Sequence, residues 1–234
     1  IVGAEQQVAE VAQKVAKEKY GLDVELVTFN DYVLPNEALS KGDIDVNAFQ
    51  HKPYLDQQIK DRGYKLVAVG NTFVYPIAGY SKKIKSLDEL QPGSQIAVPN
   101  DPTNLGRSLL LLQQVGLIKL KDGVGLLPTS LDIVENPKNL KIVELEAPQL
   151  PRSLDDAQIA LAVINTTYAS QIGLTPAKDG IFVEGKESPY VNLIVAREDN
   201  KDAENVKKFV QAYQSDEVYE AANKIFNGGA VKGW

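Results

Sequence analysis

Gln95-Ile-Ala-Val-Pro-Asn-Asp-Pro-Thr-Asn-Leu-Gly-Arg-Ser-Leu-Leu-Leu-Leu112 holds a whole βα unit in one stretch. Gln95 to Val98 reads as a strand. Asp101 is an N-cap residue set directly before Pro102, a proline suited to a first helical turn. The helix that follows runs through Leu109–Leu112 and stops at Gly116. The same alternation extends both ways. Upstream, Ser86-Leu-Asp-Glu89 is a capping box before a short helix. Downstream, Leu140–Leu145 and Ile159–Ile164 read as buried strands, and Asn165 can cap a helix through Ile172. Val191–Ala196 is a further strand, followed by helices over Ala203–Tyr213 and Val218–Phe226.

In the first part of the chain, Val8, Val11, Ala12, Val15 and Ala16 fall at helical spacing. Asp23–Phe29 alternates and is β-rich, so a strand is expected there. Pro35–Lys41 predicts a short helix stopped by Gly42, Ile44–Phe49 a strand, and Pro53–Arg62 a helix closed by Gly63. Lys65–Phe73 and Val74–Tyr80 form a long β-rich stretch broken by Pro76. Strands alternating with helices throughout predict an α/β architecture with mostly parallel sheets.

The composition narrows the function. The 234 residues carry 25 Lys and Arg against 31 Asp and Glu, a net charge of −6. That balance speaks against nucleic acid as a partner. The longest apolar run, Ile159–Ile164, is far short of a membrane span. With no cysteine and a single histidine, His51, thiolate chemistry is absent and a metal site would rest on carboxylates. Neither a metal nor a cofactor is expected, because the glycine-rich nucleotide signatures are missing as well. Arginine occurs at only four positions, 62, 107, 152 and 197. A rare arginine suits a place where a planar fork must meet a carboxylate.

Several stretches carry a resemblance. They are Tyr32–Ser40, Asp45–Leu55, Tyr75–Tyr80, Ile96–Arg107, Ala162–Asn165, Ser188–Asn192 and the closing Gly-Gly-Ala-Val-Lys-Gly-Trp234. Together they resemble the methionine-binding lipoproteins of the MetQ/NlpA family, the substrate-binding components of bacterial methionine ABC importers. The resemblance implies a bilobed periplasmic-binding-protein-like fold, type II-like, with two α/β lobes joined by two crossover strands. Residues 1–75 and 194–234 would form one lobe and 80–190 the other, with crossovers at 73–80 and 188–194. It implies methionine as ligand, L- ahead of D-, held in the interlobe cleft. The partner would be the permease and ATPase complex of an ABC importer in the inner membrane. It also implies an N-terminal lipid as membrane anchor on the periplasmic face. The lipid-bearing cysteine and most of a first strand are expected before Ile1, whose strand would end at Ile1 and Val2. A methionyl dipeptide or another small apolar amino acid is the alternative ligand.

A free amino acid makes three chemical demands. Its carboxylate wants a bidentate cation and helix N-terminal N–H groups. Arg107 and Asn104, three apart on one helix face, suit it. The blander reading of Arg107 is a solvent-facing side chain or one paired with a nearby Asp. The ammonium wants acceptors, and Asn165 and Asn192 suit it. Asn165 could instead only cap its helix, and Asn192 only bond backbone within its strand. A thioether wants an apolar or aromatic slot, for which Phe49, His51, Tyr54, Phe73 and Tyr75 are candidates. These aromatics could equally be ordinary core, and His51 a capping residue. Tyr32, Gln50 and Asn71 are weaker candidates, and Arg62, Arg152 and Arg197 read as surface or lobe-contact charges.

Two rival classes fare worse. An enzyme would need His51 as base with Asp45 or Asp56 and a serine, but no Gly-x-Ser-x-Gly elbow exists. No catalytic residue is therefore assigned. A ligand-sensing domain of a transcription regulator would need a DNA-binding helix pair, and this sequence holds none.

Overall fold

A computed structural model describes residues 1–185 and 187–234. The chain divides into two units, one made of Ile1–Tyr75 with Lys186–Trp234, the other of Pro76–Gly185. The first change of unit falls inside the segment 73–80. The second falls at Gly185/Lys186, ahead of 188–194. Asn192 therefore belongs to a sheet of the first unit and not to a crossing segment.

The second unit is built on five strands in the order Phe182–Val183, Ala78–Tyr80, Ile159–Ile164, Gln95–Pro99, Lys141–Leu145. Gln95–Pro99 runs parallel to both its neighbours, and the remaining two ladders are antiparallel. After the central strand the chain turns into the helix Pro102–Gln114. Asp101 caps it as its sequence demands, accepting the Asn104 N–H at 3.1 Å. The leucines of this helix lie three and four apart, so Leu105, Leu109 and Leu112 share one face. That face packs with Ile77, Ile96, Val98, Leu161 and Val163 in one core. Each fully buried leucine contributes roughly 1.5–3 kcal/mol relative to exposure.

Gly106 sits in the first turns of this helix because another backbone passes there. A Cβ added to it would lie 2.2 Å from the Leu126 carbonyl oxygen and 3.1 Å from Pro128. Alanine is the better helix former, by about 0.5–1 kcal/mol. Overpacking against backbone costs about 1–3 kcal/mol. Gly106→Ala should therefore lower the melting temperature by several degrees, and a calorimetric scan showing an unchanged or raised midpoint would refute this close approach.

In the first unit, three strands pair in the order Val46–His51, Asn192–Arg197, Leu66–Asn71, all antiparallel. The expectation of mostly parallel sheets fails here, for a definite reason. Val46–His51, the helix Lys52–Arg62 and Leu66–Asn71 form the expected local β-α-β run, and its two strands are parallel to each other. A strand from far along the chain is inserted between them, and local spacing cannot announce it. The helix Glu5–Tyr20 packs Val8, Ala9 and Ala12 with Phe209, Tyr213, Val218 and Ala222 of the two C-terminal helices. It ends at Gly21, whose φ of 62° lets its N–H reach the Lys17 carbonyl and the Leu22 N–H the Ala16 carbonyl.

Asp23–Phe29, expected as a strand, makes no ladder among the described residues. Its one bridge is Val2 with Phe29, and the Phe29 N–H donates to the Ile1 carbonyl at 2.9 Å. Beside it lies a cavity of about 380 Å³, lined by Val24, Leu26, Ile44, Val46 and Phe209. An alternating sequence makes a strand only where a partner backbone supplies hydrogen bonds.

Candidate functional site

The candidates fall into two groups, one on each unit. On the second unit, Arg107 is held in a fork. Its Nε donates to Glu184 Oε2 at 2.9 Å and its Nη2 to Glu184 Oε1 at 2.6 Å. The two side chains are only 4% and 11% exposed. Such a pair persists only because geometry and hydrogen bonds offset the loss of water. The expected partner was an adjacent Asp or a ligand alone. The observed one lies 77 residues away in sequence, so sequence reasoning missed Glu184.

Asn104 connects this helix to the next strand end. Its Nδ2 donates to both carboxylate oxygens of Asp101, at 3.0 and 3.1 Å, and its Oδ1 accepts from Asn165 Nδ2 at 3.3 Å. Burial pushes the Asp101 carboxyl above its usual range, against the hydrogen bonds from Asn104 and Thr103. Asn165 stands at the carboxyl end of Ile159–Ile164 and precedes the helix Thr166–Ala169. Its side chain does not cap that helix. Its Oδ1 is buried and has no hydrogen-bond partner among the described residues. The simple capping role is thus excluded, and an acceptor is left waiting for a donor.

On the first unit, aromatic rings gather at the end of Val46–His51. Phe49 lies 5.9 Å from Tyr32 and 6.0 Å, edge-on, from Tyr54. The Tyr54 hydroxyl donates to the Tyr32 carbonyl at 2.7 Å. His51 ends the strand and caps the next helix, its Nδ1 accepting the Tyr54 N–H at 3.1 Å. Its ring also meets Tyr190 edge-on at 5.0 Å. The capping role expected as the bland alternative is therefore present, and the ring additionally belongs to the aromatic group.

Gln50 is buried in an amide network with Asn36 and Asn47, with bonds of 2.8 to 3.0 Å. It serves the fold, as does Asn71, which donates to the Gly233 carbonyl at 2.9 Å. Phe73 is corrected as well. It is completely buried, edge-on to Trp234 at 5.1 Å and beside Tyr213 and Tyr219. It packs in the core of the first unit. Tyr75 packs on Phe226 at 4.8 Å and shares a hydrogen bond with Tyr213. Burial pushes both hydroxyls well above the usual tyrosine range.

Asn192 opens the central strand and lies opposite His51 in register. Its Nδ2 donates to Glu5 Oε1 at 2.8 Å and, at 3.5 Å, to the Phe49 carbonyl. The backbone-only role expected as its alternative is not what holds it. Glu5 is a second residue that sequence reading missed, since a Glu in a first helical turn ordinarily faces water. Here it is 1% exposed.

No group of three or more His, Cys, Asp or Glu among the described residues could hold a metal ion. No helix among them is long and apolar enough to cross a membrane. The NlpA lipoprotein family model matches residues 1–234. The chain belongs to the NlpA lipoprotein family. The resemblance read from the sequence is thereby borne out. Among curated relatives, the D-methionine-binding lipoprotein MetQ of Escherichia coli K12 is 95% identical over 234 residues, all of this chain and 86% of that protein. The crystal structure of the methionine binding protein MetQ matches with a TM-score of 0.99 at 94% identity, covering 100% of this chain and 96% of that one. A nutrient binding protein from Burkholderia cenocepacia, bound to methionine, matches at 0.96 and 55% identity over 100% and 98% of the two chains. A periplasmic substrate-binding protein of an ABC transporter from Coxiella burnetii matches at 0.95 and 52%, over 99% and 97%. The two-unit α/β fold of this NlpA family member is that of periplasmic substrate-binding proteins.

Proposed function

We propose that the chain binds methionine without transforming it and hands it to the permease and ATPase complex of an ABC importer. A lipid at the N-terminus would hold it at the periplasmic face of the inner membrane, as expected for a lipoprotein family. The observation that carries the reading is the buried Asn165 amide oxygen, which has no donor among the described residues and is not used as a helix cap. An ammonium is a donor of the right charge and size for it. Asn192 offers a second amide oxygen, and Arg107 a guanidinium for the carboxylate. The rings of Phe49, Tyr54 and His51 suit a thioether. The relatives named or described as methionine-binding support the ligand, and the name of the D-methionine-binding lipoprotein MetQ extends it to the D form. The reading takes L- ahead of D-methionine, with a methionyl dipeptide as the alternative.

Freshly purified protein should, on denaturation, release methionine detectable by mass spectrometry. Stripped protein should recover the same molecule unchanged after incubation. Release of a dipeptide would replace methionine by the alternative, and stoichiometric conversion of added methionine would overturn binding without turnover.

A further inference from the structure

The Asn192 amide nitrogen is held by two oxygens. It donates to Glu5 Oε1 and to the Phe49 carbonyl, which leaves the amide oxygen facing away from them. Phe49 is a long contact at 3.5 Å, so Glu5 at 2.8 Å dominates. An ionised carboxylate accepts only and fixes this orientation. A protonated one also offers an O–H, to which the amide oxygen could turn. We infer that Glu5 is the positioning residue that presents the Asn192 oxygen to the ligand ammonium, and that ligand binding expels the Glu5 proton to solvent. This rests on the methionine-binding reading above.

The surroundings of Glu5 support it. The carboxyl is buried at the start of the helix Glu5–Tyr20, and its Oε2 has no hydrogen-bond partner among the described residues. Burial pushes its pKa up to about 8, opposed by the Asn192 hydrogen bond. Tyr75 and Tyr213 face it from the segment after Phe73–Val74 and from the helix Glu204–Tyr213. Both are pushed up and stay neutral, so neither adds a like charge beside the carboxylate. His51 lies across the ladder from Asn192 and is the titratable group on that strand. Ionised Glu5 also polarises the Asn192 amide, which strengthens its oxygen as an acceptor. An added ammonium favours the ionised form, so affinity must rise as pH climbs through the Glu5 titration.

The test measures methionine affinity by calorimetry from pH 6.5 to 9 in wild type, Glu5→Gln and Glu5→Leu. The Asn192 side-chain amide is followed by NMR in ligand-free protein over the same range. For wild type the expected gain is about tenfold for each unit by which binding lowers the Glu5 titration. The ligand-free Asn192 signal should move near pH 8. Glu5→Gln keeps an acceptor and should bind with this component of the pH slope gone, which subtracts His51 and the ligand's own amine. Glu5→Leu, folded by a cooperative melt, should lose at least about tenfold at every pH. A Glu5→Gln slope equal to wild type, or wild-type affinity in folded Glu5→Leu, overturns the role of Glu5. Wild type taking up no methionine at any pH, with the Asn192 signal still titrating, overturns instead the methionine reading on which it rests.

Discussion

Arg107→Ala should weaken methionine binding by roughly 30-fold or more. Truncating one partner of a buried charged pair costs about 2–5 kcal/mol, and each 1.4 kcal/mol is tenfold. The fold should suffer too. Glu184, 11% exposed, would keep its charge with its guanidinium gone. Breaking a buried pair from one side costs about 3–5 kcal/mol of stability. The single variant therefore confounds binding with folding. Replacing both residues, Arg107→Met with Glu184→Leu, separates them. An apolar pair of similar volume restores most of the stability of such sites, while the ligand carboxylate still lacks its cation. Chemical denaturation should show the double variant more stable than Arg107→Ala, and calorimetry should show it equally poor at binding. Wild-type affinity in the folded double variant would remove Arg107 from the site.

Stability should fall as pH rises from about 4.5 to 8. Glu5 titrates near 4.5 when unfolded and near 8 when folded. The folded state therefore holds its proton more tightly. The stabilisation is complete below the unfolded value and is lost as pH climbs through the folded one. At 1.36 kcal/mol per unit, a shift of this size amounts to about 4–5 kcal/mol across the window. The raised Asp101 acts with the same sign. The lowered carboxyls of Asp132, Asp155 and Glu217 are at the surface and screened by water. Glu5→Gln isolates the buried group. It should be more stable than wild type at pH 8 and lose the difference toward pH 4.5, read from denaturant unfolding at each pH. Parallel curves for the two proteins would show that Glu5 is ionised in the fold at no cost.

Local chemistry was legible. Asp101-Pro102 started a helix where a cap and a proline demand one, and Gly42 and Gly63 ended helices in the left-handed conformation. The Asn165 and Asn192 amides, offered as ammonium acceptors, bond to the side chains of Asn104 and Glu5. What the sequence hid were partners distant along the chain. Glu184 lies 77 residues from Arg107, and Glu5 lies 187 residues from Asn192. Neither spacing leaves a periodic trace. Strand direction failed for the same reason, because Asn192–Arg197 enters its sheet from outside the local run. Phe73 failed differently. An aromatic residue in a β-rich stretch reads the same whether it faces a ligand or a core.

That inserted strand also fixes an order of events during synthesis. Pro76–Gly185 is one continuous piece of chain, and every ladder of its five-stranded sheet is complete once residue 183 has been made. Val46–His51 and Leu66–Asn71 are made earlier, yet they have no ladder with each other. Their only shared partner arrives with residues 192–197. A nascent chain that ends between residues 185 and 192 carries one finished unit and one with its sheet unzipped. Bringing the late strand home closes a loop of more than a hundred residues, and the entropy of closing a loop grows only slowly with its length. Folding the second unit first shortens that loop in space, so its early completion brings the ends of the first unit's sheet within reach of each other.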